Sequence, residues 1–315
     1  MDLGQLISGK IAFMKIIVTG ANGYLGGILL NVLENQHLEA IDKLVGVTRD
    51  ASNGGASCVD WIEIDFSVAD WASSLPDEEF DIIVHLAQSR KYRKFPGEIG
   101  DIFDVNTRST VELADWALNH GVKRFVFAST GNVYGFGDRI SKEEDPCNPD
   151  SMYGASKLAA EILLNPYVEF FDIAVLRFFG IYGPDQTNML IPNVINRFIN
   201  GEEITLAGNA GVKFNPIYID DAVNIVARLI TENLFCGYEI INVGGSESVD
   251  LRCLISELEL ISDKRANLRI TKSNPKCLVG SIGKIKNLME EYSTVSFRKG
   301  LQLTYKSLCP SEDFI

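Results

Sequence analysis

The chain has 315 residues, 46% hydrophobic and 23% charged, a composition ordinary for a globular protein with a full core in one large or two unequal domains. A net charge of −13 argues against a general nucleic-acid binder, and no apolar run reaches membrane-spanning length. Six cysteines at 58, 147, 236, 253, 277 and 309 lack close metal-type spacing and read as reduced thiols of a cytoplasmic protein, and three histidines offer little for a metal site. Residues 1–13 lack the features of a secretory leader and are expected to form a flexible extension, with the fold beginning near Met14.

In chain order, the apolar strand Lys15-Ile16-Ile17-Val18 runs into Thr19-Gly20-Ala21-Asn22-Gly23-Tyr24-Leu25-Gly26 and then into an apolar helical stretch. Gly20 suits a tight turn, Gly23 the approach of backbone to a pyrophosphate, and Gly26 close helix–strand packing. Three spaced glycines alone also fit a plain structural turn. Further strands are expected at 43–48, 59–64, 81–86, 123–128 and 173–178, with helices at 24–35, 69–74, 104–120 and 153–171, the last open to interruption at Asn165-Pro166. The alternation implies a doubly wound α/β fold with a parallel sheet. The nearly all-apolar runs Asp81 to Ala87 and Arg124 to Ala128 fit strands buried on both faces. After Gly183-Pro184 the alternation weakens. Residues 188–214 read as a helix, a strand and a loop, Asp220-Asp221 open another helix, Tyr238 to Val243 forms one more strand, and 249–315 carries short elements.

Two pieces carry chemistry. Tyr153 and Lys157 stand four apart on an expected helix and so share a face. An ammonium beside the phenol would lower its pKa and make a general acid/base for an alcohol or ketone; an exposed Tyr–Lys pair is the plainer alternative. Ser129-Thr130-Gly131-Asn132-Val133-Tyr134-Gly135 follows a buried strand, where doubly wound folds bind ligands, although a serine/threonine turn fits the same residues.

In order and spacing, the chain resembles an extended short-chain dehydrogenase/reductase of the nucleotide-sugar epimerase/dehydratase group. The resemblance covers most of 14–245 and rests on Thr19 to Gly26, Asp65-Phe66, His85-Leu86-Ala87, Asn106, Ser129 to Gly135, Tyr153 to Lys157, Val175-Leu176-Arg177, Tyr182-Gly183-Pro184 and Ile219-Asp220-Asp221. It implies that Tyr153 is the acid/base, that Lys157 bonds the nicotinamide ribose and tunes Tyr153, and that Thr130 bonds the reacting sugar oxygen. It places Asp65 and Phe66 by the adenine and Leu86 and Ala87 along the cofactor, and has Asn106 brace the active-site helix. Asn22, Tyr24, Leu25, Gln88 and Phe179 join the cofactor residues; Ser89, Gly131, Asn132 and Asn188 join the substrate residues. His85 reads as a packed strand residue. The implied layout is a dinucleotide-binding domain over 14–178 with sheet elements from 216–245, and a substrate-binding domain over 179–215 and 246–315. Pairing of the helices at 104–120 and 153–171 in a homodimer is implied as well.

The departures from the family matter. Sugar 4,6-dehydratases carry an acidic pair where Gly131 and Asn132 stand, the decarboxylases of the group a glutamate at Asn132, and epimerase-reductases of the GDP-fucose synthase type a cysteine there. What remains is hydride transfer at a sugar carbon, as 4-keto reduction or C4 epimerisation. The second strand ends in Thr48 where NAD-binding strands usually end in an acid, and Arg49 follows; a guanidinium suits a 2′-phosphate, which favours NADP(H) over NAD(H). Asp50 serving the ribose, with Arg49 solvated, is the alternative. Gly180 replaces the family's substrate-contacting asparagine. Lys213 is a candidate diphosphate contact, and the basic run Ser89 to Lys94 could attract an anion; both also read as solvated charges. A dinucleotide sensor or scaffold without catalysis, or a reductase of a non-nucleotide molecule, stands as the alternative function.

Overall fold

The computed structural model describes residues 13–290 and 292–309, so nearly all of the expected N-terminal extension lies outside the described residues. Seven parallel strands form the main sheet: β1 Met14–Thr19, β2 Ile41–Thr48, β3 Asp60–Glu63, β4 Ile82–His85, β5 Arg124–Thr130, β6 Asp172–Phe178 and β7 Tyr238–Val243. Their order across the sheet is β7-β6-β5-β4-β1-β2-β3. The chain winds outward twice from the β1/β4 boundary, which leaves a crevice beyond the carboxyl ends of those two strands.

Alternate residues of each strand feed opposite layers. Ile16, Val18, Val84 and Val126 pack in one core with Leu29, Leu30 and Leu33 of helix α1 (Tyr24–Gln36) and with Ile225 and Leu229 of the helix Ile219–Thr231. Ile17, Val45, Ile83, Phe125 and Phe127 pack in the other, under Leu113 and Ala117 of helix α2 (residues 99–119) and Ala160 and Leu164 of helix α3 (Met152–Leu164). Each fully buried Leu or Ile contributes about 1.5–3 kcal/mol. Helix α2 spans 99–119 in three parts: an α-helical turn Ile99–Phe103, a π-helical stretch Asp104–Arg108 and the α-helix Ser109–Asn119.

Several expectations shift. The stretch 69–74 is only a 3-10 turn, Trp71–Ser74, entered through Asp70 at φ 60°. The helix expected from 104 begins five residues earlier, at Ile99. α3 ends at Leu164 and passes into a 3-10 stretch at Asn165–Glu169, where Pro166 supplies no backbone donor. β5 runs two residues past 128, so Ser129 and Thr130 belong to the strand itself.

The rest of the chain forms smaller sheets over the carboxyl end of β5–β7. Ile140–Ser141, Lys213–Phe214, Val249–Asp250 and Cys277–Gly280 make a four-stranded sheet. Ile140–Ser141, from within the 14–178 segment expected to form the dinucleotide-binding domain, pairs there with Val279 and Gly280. Among the described residues no helix is long and apolar enough to cross a membrane.

Candidate active site

The glycine turn is shaped by sterics. Gly20 follows β1 at φ +66°, and a Cβ there would stand 2.8 Å from Ala87 N and 2.9 Å from Leu86 C, just past β4. A Cβ on Gly23 would meet the Gly20 carbonyl oxygen at 2.9 Å, so Gly23 is required by the turn itself and not only by an approaching ligand. A Cβ on Gly26 would collide with the same oxygen, which is the close helix–strand packing expected of it. No side chain caps α1, so its first-turn N–H groups and positive dipole end are left to an anion. This side-chain-free cradle at an uncapped helix start fits the pyrophosphate of a dinucleotide. The Tyr24 hydroxyl donates to Pro184 O at 3.0 Å, Leu25 is half-buried, and Asn22 Nδ2 donates to Asp50 O at 2.9 Å, tying the turn to the segment after β2.

Thr48 is buried at the end of β2 and Arg49 after it is exposed. Asp65 is exposed; burial works against its charge, but Ser67 N–H and Oγ donate to its carboxylate at 2.9 and 2.7 Å and, with Arg49, hold its pKa below the usual range. Phe66, expected beside an adenine, turns its side chain into the core. Its ring is buried edge-on to Trp71 at 4.6 Å, because the apolar ring gains more in that core than at the rim. Leu86, Ala87 and Gln88 follow β4 and grade from half-buried through buried to exposed.

Lys157 lies on α3 with its side chain fully buried. Its Nζ donates to Ala128 O at 2.9 Å and Ala87 O at 3.5 Å, over the Phe127 ring at 4.7 Å. The glycine turn and the lysine therefore meet at one residue, Ala87. Burial pulls the ammonium down to about 7, with Glu161 opposing. Tyr153 begins the same helix. Gly154 lets that helix start against the end of β5: a Cβ there would stand 2.6 Å from Asn132 O. The Tyr153 hydroxyl donates to Gln88 Oε1 at 2.9 Å, and its ring leans on Tyr92 at 5.0 Å. Burial pushes the phenol above its ordinary pKa, the Thr130 hydroxyl pulls it back and Tyr92 adds to the rise. This corrects the expectation of a lowered tyrosine: the ammonium of Lys157 is directed at strand-end carbonyls. Asn106 accepts from Ser89 N–H at 2.8 Å and donates to Ser156 Oγ at 3.0 Å, bracing α3 from the π-helical stretch.

Thr130 Oγ1 accepts from Asn132 N–H at 3.2 Å, and Asn132 is half-buried. Gly131 is pressed under Phe179: a Cβ there would lie 2.7 Å from that ring. Phe179 is buried, stacked on Tyr134 at 6.0 Å with Gly280 against its other edge, so its side chain packs in the core. Ser89 is buried too; its hydroxyl donates to Asp101 and accepts from Lys91 N–H, which spends its polar groups inside the protein. The basic run is partly neutralised, because Lys91 pairs with Glu98 and Asp101 at 3.2 Å each. Asn188 is exposed at φ +59° beside Met189, whose sulfur accepts from Tyr92 Oη at 3.9 Å and Arg93 Nη2 at 3.7 Å. Lys213 is exposed on the small sheet, in register with Cys277 and Asp250.

Two features escaped the sequence reading. Tyr92 was hidden within a charged run, yet its ring covers Tyr153. Behind Thr130, Ser129 donates to Glu161, which binds Arg177 through Nη2 at 2.6 Å; Arg177 Nη1 donates to Tyr134 Oη at 2.7 Å. Burial opposes the Arg177 charge, and Glu161 more than offsets it, raising the pKa. The available signal was an acid four residues past Lys157 on an otherwise apolar helix face.

The sheet order, the glycine cradle and the Tyr153–Lys157 pair define a nicotinamide-dependent enzyme of the extended short-chain dehydrogenase/reductase type. Residues 16–244 match the NAD dependent epimerase/dehydratase family, and the chain belongs to that family. A Bacillus subtilis protein described as an uncharacterized UDP-glucose epimerase is 30% identical over 305 residues, 91% of this chain and 96% of its own. A UDP-glucuronate 4-epimerase of Thermodesulfobacterium geofontis is 30% identical over 70% of each chain. The crystal structure of a UDP-glucuronic acid 4-epimerase from Bacillus cereus, in complex with UDP-glucuronic acid and NAD, superposes with a TM-score of 0.83 at 28% identity, covering 94% of this chain and 99% of that one.

Proposed function

We propose that the protein interconverts C4 epimers of a nucleotide-linked hexose or hexuronate, with NAD(H) held at the glycine cradle. The observation that carries this reading is the convergence of Gly20, Lys157, Thr130 and Tyr153 on the carboxyl ends of β4 and β5. When bound, the nicotinamide supplies hydride exchange at C4. Tyr153, as the phenolate, would take the proton of the sugar hydroxyl as the alcohol is oxidised and, as the phenol so formed, return it on reduction. The Thr130 hydroxyl orients the same oxygen. Lys157, once it faces a ribose and the phenol rather than two carbonyls, favours the phenolate. The Phe179 ring leaves no space for a side chain at position 131, so the acid that a dehydratase carries there has no room in this chain. UDP-linked sugars are the proposed substrates, supported by the UDP-glucuronate 4-epimerases of Bacillus cereus and Thermodesulfobacterium geofontis that this chain resembles.

Arg49 supports a second reading, 4-keto reduction with NADP(H), because its exposed guanidinium stands at the strand end that meets an adenosine ribose. We also propose a homodimer through α2 and α3, supported by the exposed apolar side chains Ile99, Phe103, Ile162 and Leu163, and a cytoplasmic setting, which six free cysteines suit. The test is to incubate the purified protein with UDP-glucose and UDP-glucuronic acid and follow the C4 proton by NMR, with cofactor redox state monitored. Epimer formation without net cofactor consumption supports the first reading. Stoichiometric NADPH oxidation against a 4-keto sugar supports the second. Turnover that survives Tyr153→Phe, or no stabilisation by any nucleoside diphosphate, would sink both.

A further inference from the structure

We propose that His85 is a positioning residue which, as a neutral imidazole carrying its proton on Nε2, ties the glycine turn to the helix that braces Tyr153. The proposal rests on the reading of that turn as the dinucleotide site.

Sheet register puts the pieces in one row, Thr19 beside His85 and His85 beside Phe127. The imidazole is fully buried, stacked on Phe127 at 5.7 Å and edge-on to Phe66 at 5.9 Å. His85 Nδ1 lies 2.7 Å from Thr19 Oγ1, and Nε2 lies 3.0 Å from Thr110 Oγ1. The other partners of the two threonines decide the tautomer. Thr110 Oγ1 stands 3.0 Å from Asn106 O, a carbonyl that can only accept, so the threonine proton points there. Thr110 must then accept from the imidazole, which places the ring proton on Nε2. Nδ1 is left as an acceptor, and Thr19 donates to it while accepting from Ala87 N–H at 3.3 Å. Every hydroxyl in the row gives one proton and receives one. The other tautomer would aim two donors at Thr19 and leave the Thr110 oxygen against a carbonyl with no proton between them. Burial, and then the nearby Lys157 charge, keep the ring neutral.

Each end of the row leads to the site. Thr19 directly precedes Gly20, and its partner Ala87 touches both Gly20 and Lys157. At the far end, Thr110 holds the backbone of Asn106, whose side chain grips Ser156, and Ser156 Oγ donates to Tyr153 O at 2.9 Å. His85 touches neither cofactor nor substrate; it fixes the spacing between the turn that would bind one and the helix that would act on the other.

The test compares three variants in the full chain. His85→Phe keeps the apolar contacts and removes both hydrogen bonds. His85→Asn puts an amide oxygen near Nδ1 and keeps the Thr19 bond; His85→Gln reaches toward Nε2 and keeps the Thr110 bond. NAD dissociation constants by calorimetry should weaken about 10-fold in His85→Phe, one hydrogen bond's worth, and recover in His85→Asn. Turnover should fall in His85→Phe and recover preferentially in His85→Gln. The 15N spectrum of the wild-type imidazole should show a proton on Nε2 with no titration from pH 5 to 9. A proton on Nδ1, a ring that titrates, or unchanged NAD affinity and turnover in His85→Phe would overturn the proposal. Wild-type protein that binds no dinucleotide would instead overturn the functional reading, and the imidazole spectrum would still decide the tautomer.

Discussion

Lys157 shows how one side chain trades stability for chemistry. Its pKa falls from 10.5 to about 7 on folding, so the fold disfavours its charged form. The cost is absent above pH 10.5, where the unfolded chain has also lost the proton, grows as pH falls toward 7, and is constant below that. Lys157→Met, which fills the same volume without charge, should therefore be more stable than wild type at pH 7. We expect a gain of about 2 kcal/mol after the Ala128 carbonyl loses its donor, with the gap closing by pH 10. Urea unfolding at the two pH values reads this directly; equal gaps at both would show that the ammonium is already well solvated. The same substitution should abolish turnover. Tyr153→Phe should lower turnover by about 10²–10⁴ while leaving NAD affinity within a few-fold of wild type. That Tyr153 and Lys157 share a helix face was legible from their spacing, but only the glycine turn upstream made them more than an exposed pair. The direction of the tyrosine shift was not legible, because it is set chiefly by burial of the phenol among residues distant in sequence.

At the scale of elements, tight packing by absent side chains recurs. Gly131→Ala should cost about 1–3 kcal/mol, because its methyl would meet the Phe179 ring at 2.7 Å. Phe179→Leu should destabilise on its own, yet the double substitution should cost less than the sum, a coupling that a thermal-denaturation cycle measures. The buried Glu161–Arg177 pair gives a second element-level prediction. Glu161→Ala leaves a buried guanidinium without its carboxylate and should cost about 3–5 kcal/mol, whereas Glu161→Ala with Arg177→Met should recover much of it. A cost below 1 kcal/mol for the single change would mean that the arginine escapes to water. The glycine turn, β1, β4 and β5 could be read from apolar runs and punctuation. The 3-10 turn at Trp71–Ser74 could not, since four residues carry too little periodicity to separate it from a helix. That the rings of Phe66 and Phe179 are buried was not legible, because motif position says where the backbone goes and not which way a ring turns.

For the whole molecule, the alternation of strands and helices through β6 was enough to imply a doubly wound parallel sheet. The four-stranded small sheet was invisible, as its strands are two to four residues long and come from four distant places. Association belongs to this scale. Phe103, Ile162 and Leu163 are exposed on α2 and α3, and a homodimer through these helices should be broken by Ile162→Glu. Sedimentation should show a dimer becoming a monomer with its thermal unfolding still cooperative; a wild-type monomer, or a dimer indifferent to the change, would rule out this surface.

The π-helical stretch at Asp104–Arg108 has a consequence for what lengths of chain this fold tolerates. A π turn holds one residue more than an α turn, so the helical faces before and after it are out of phase by about 100°. Deleting one residue there would let the ladder close as an ordinary α-helix and favour the isolated helix. It would also swing Ile102 out of its buried seat relative to Leu113, or Asn106 away from Ser156. Sequences sharing this site should thus preserve the count of residues between 99 and 119 as strictly as their identity, and a gap in that interval would mark a chain that has given up the brace behind its tyrosine.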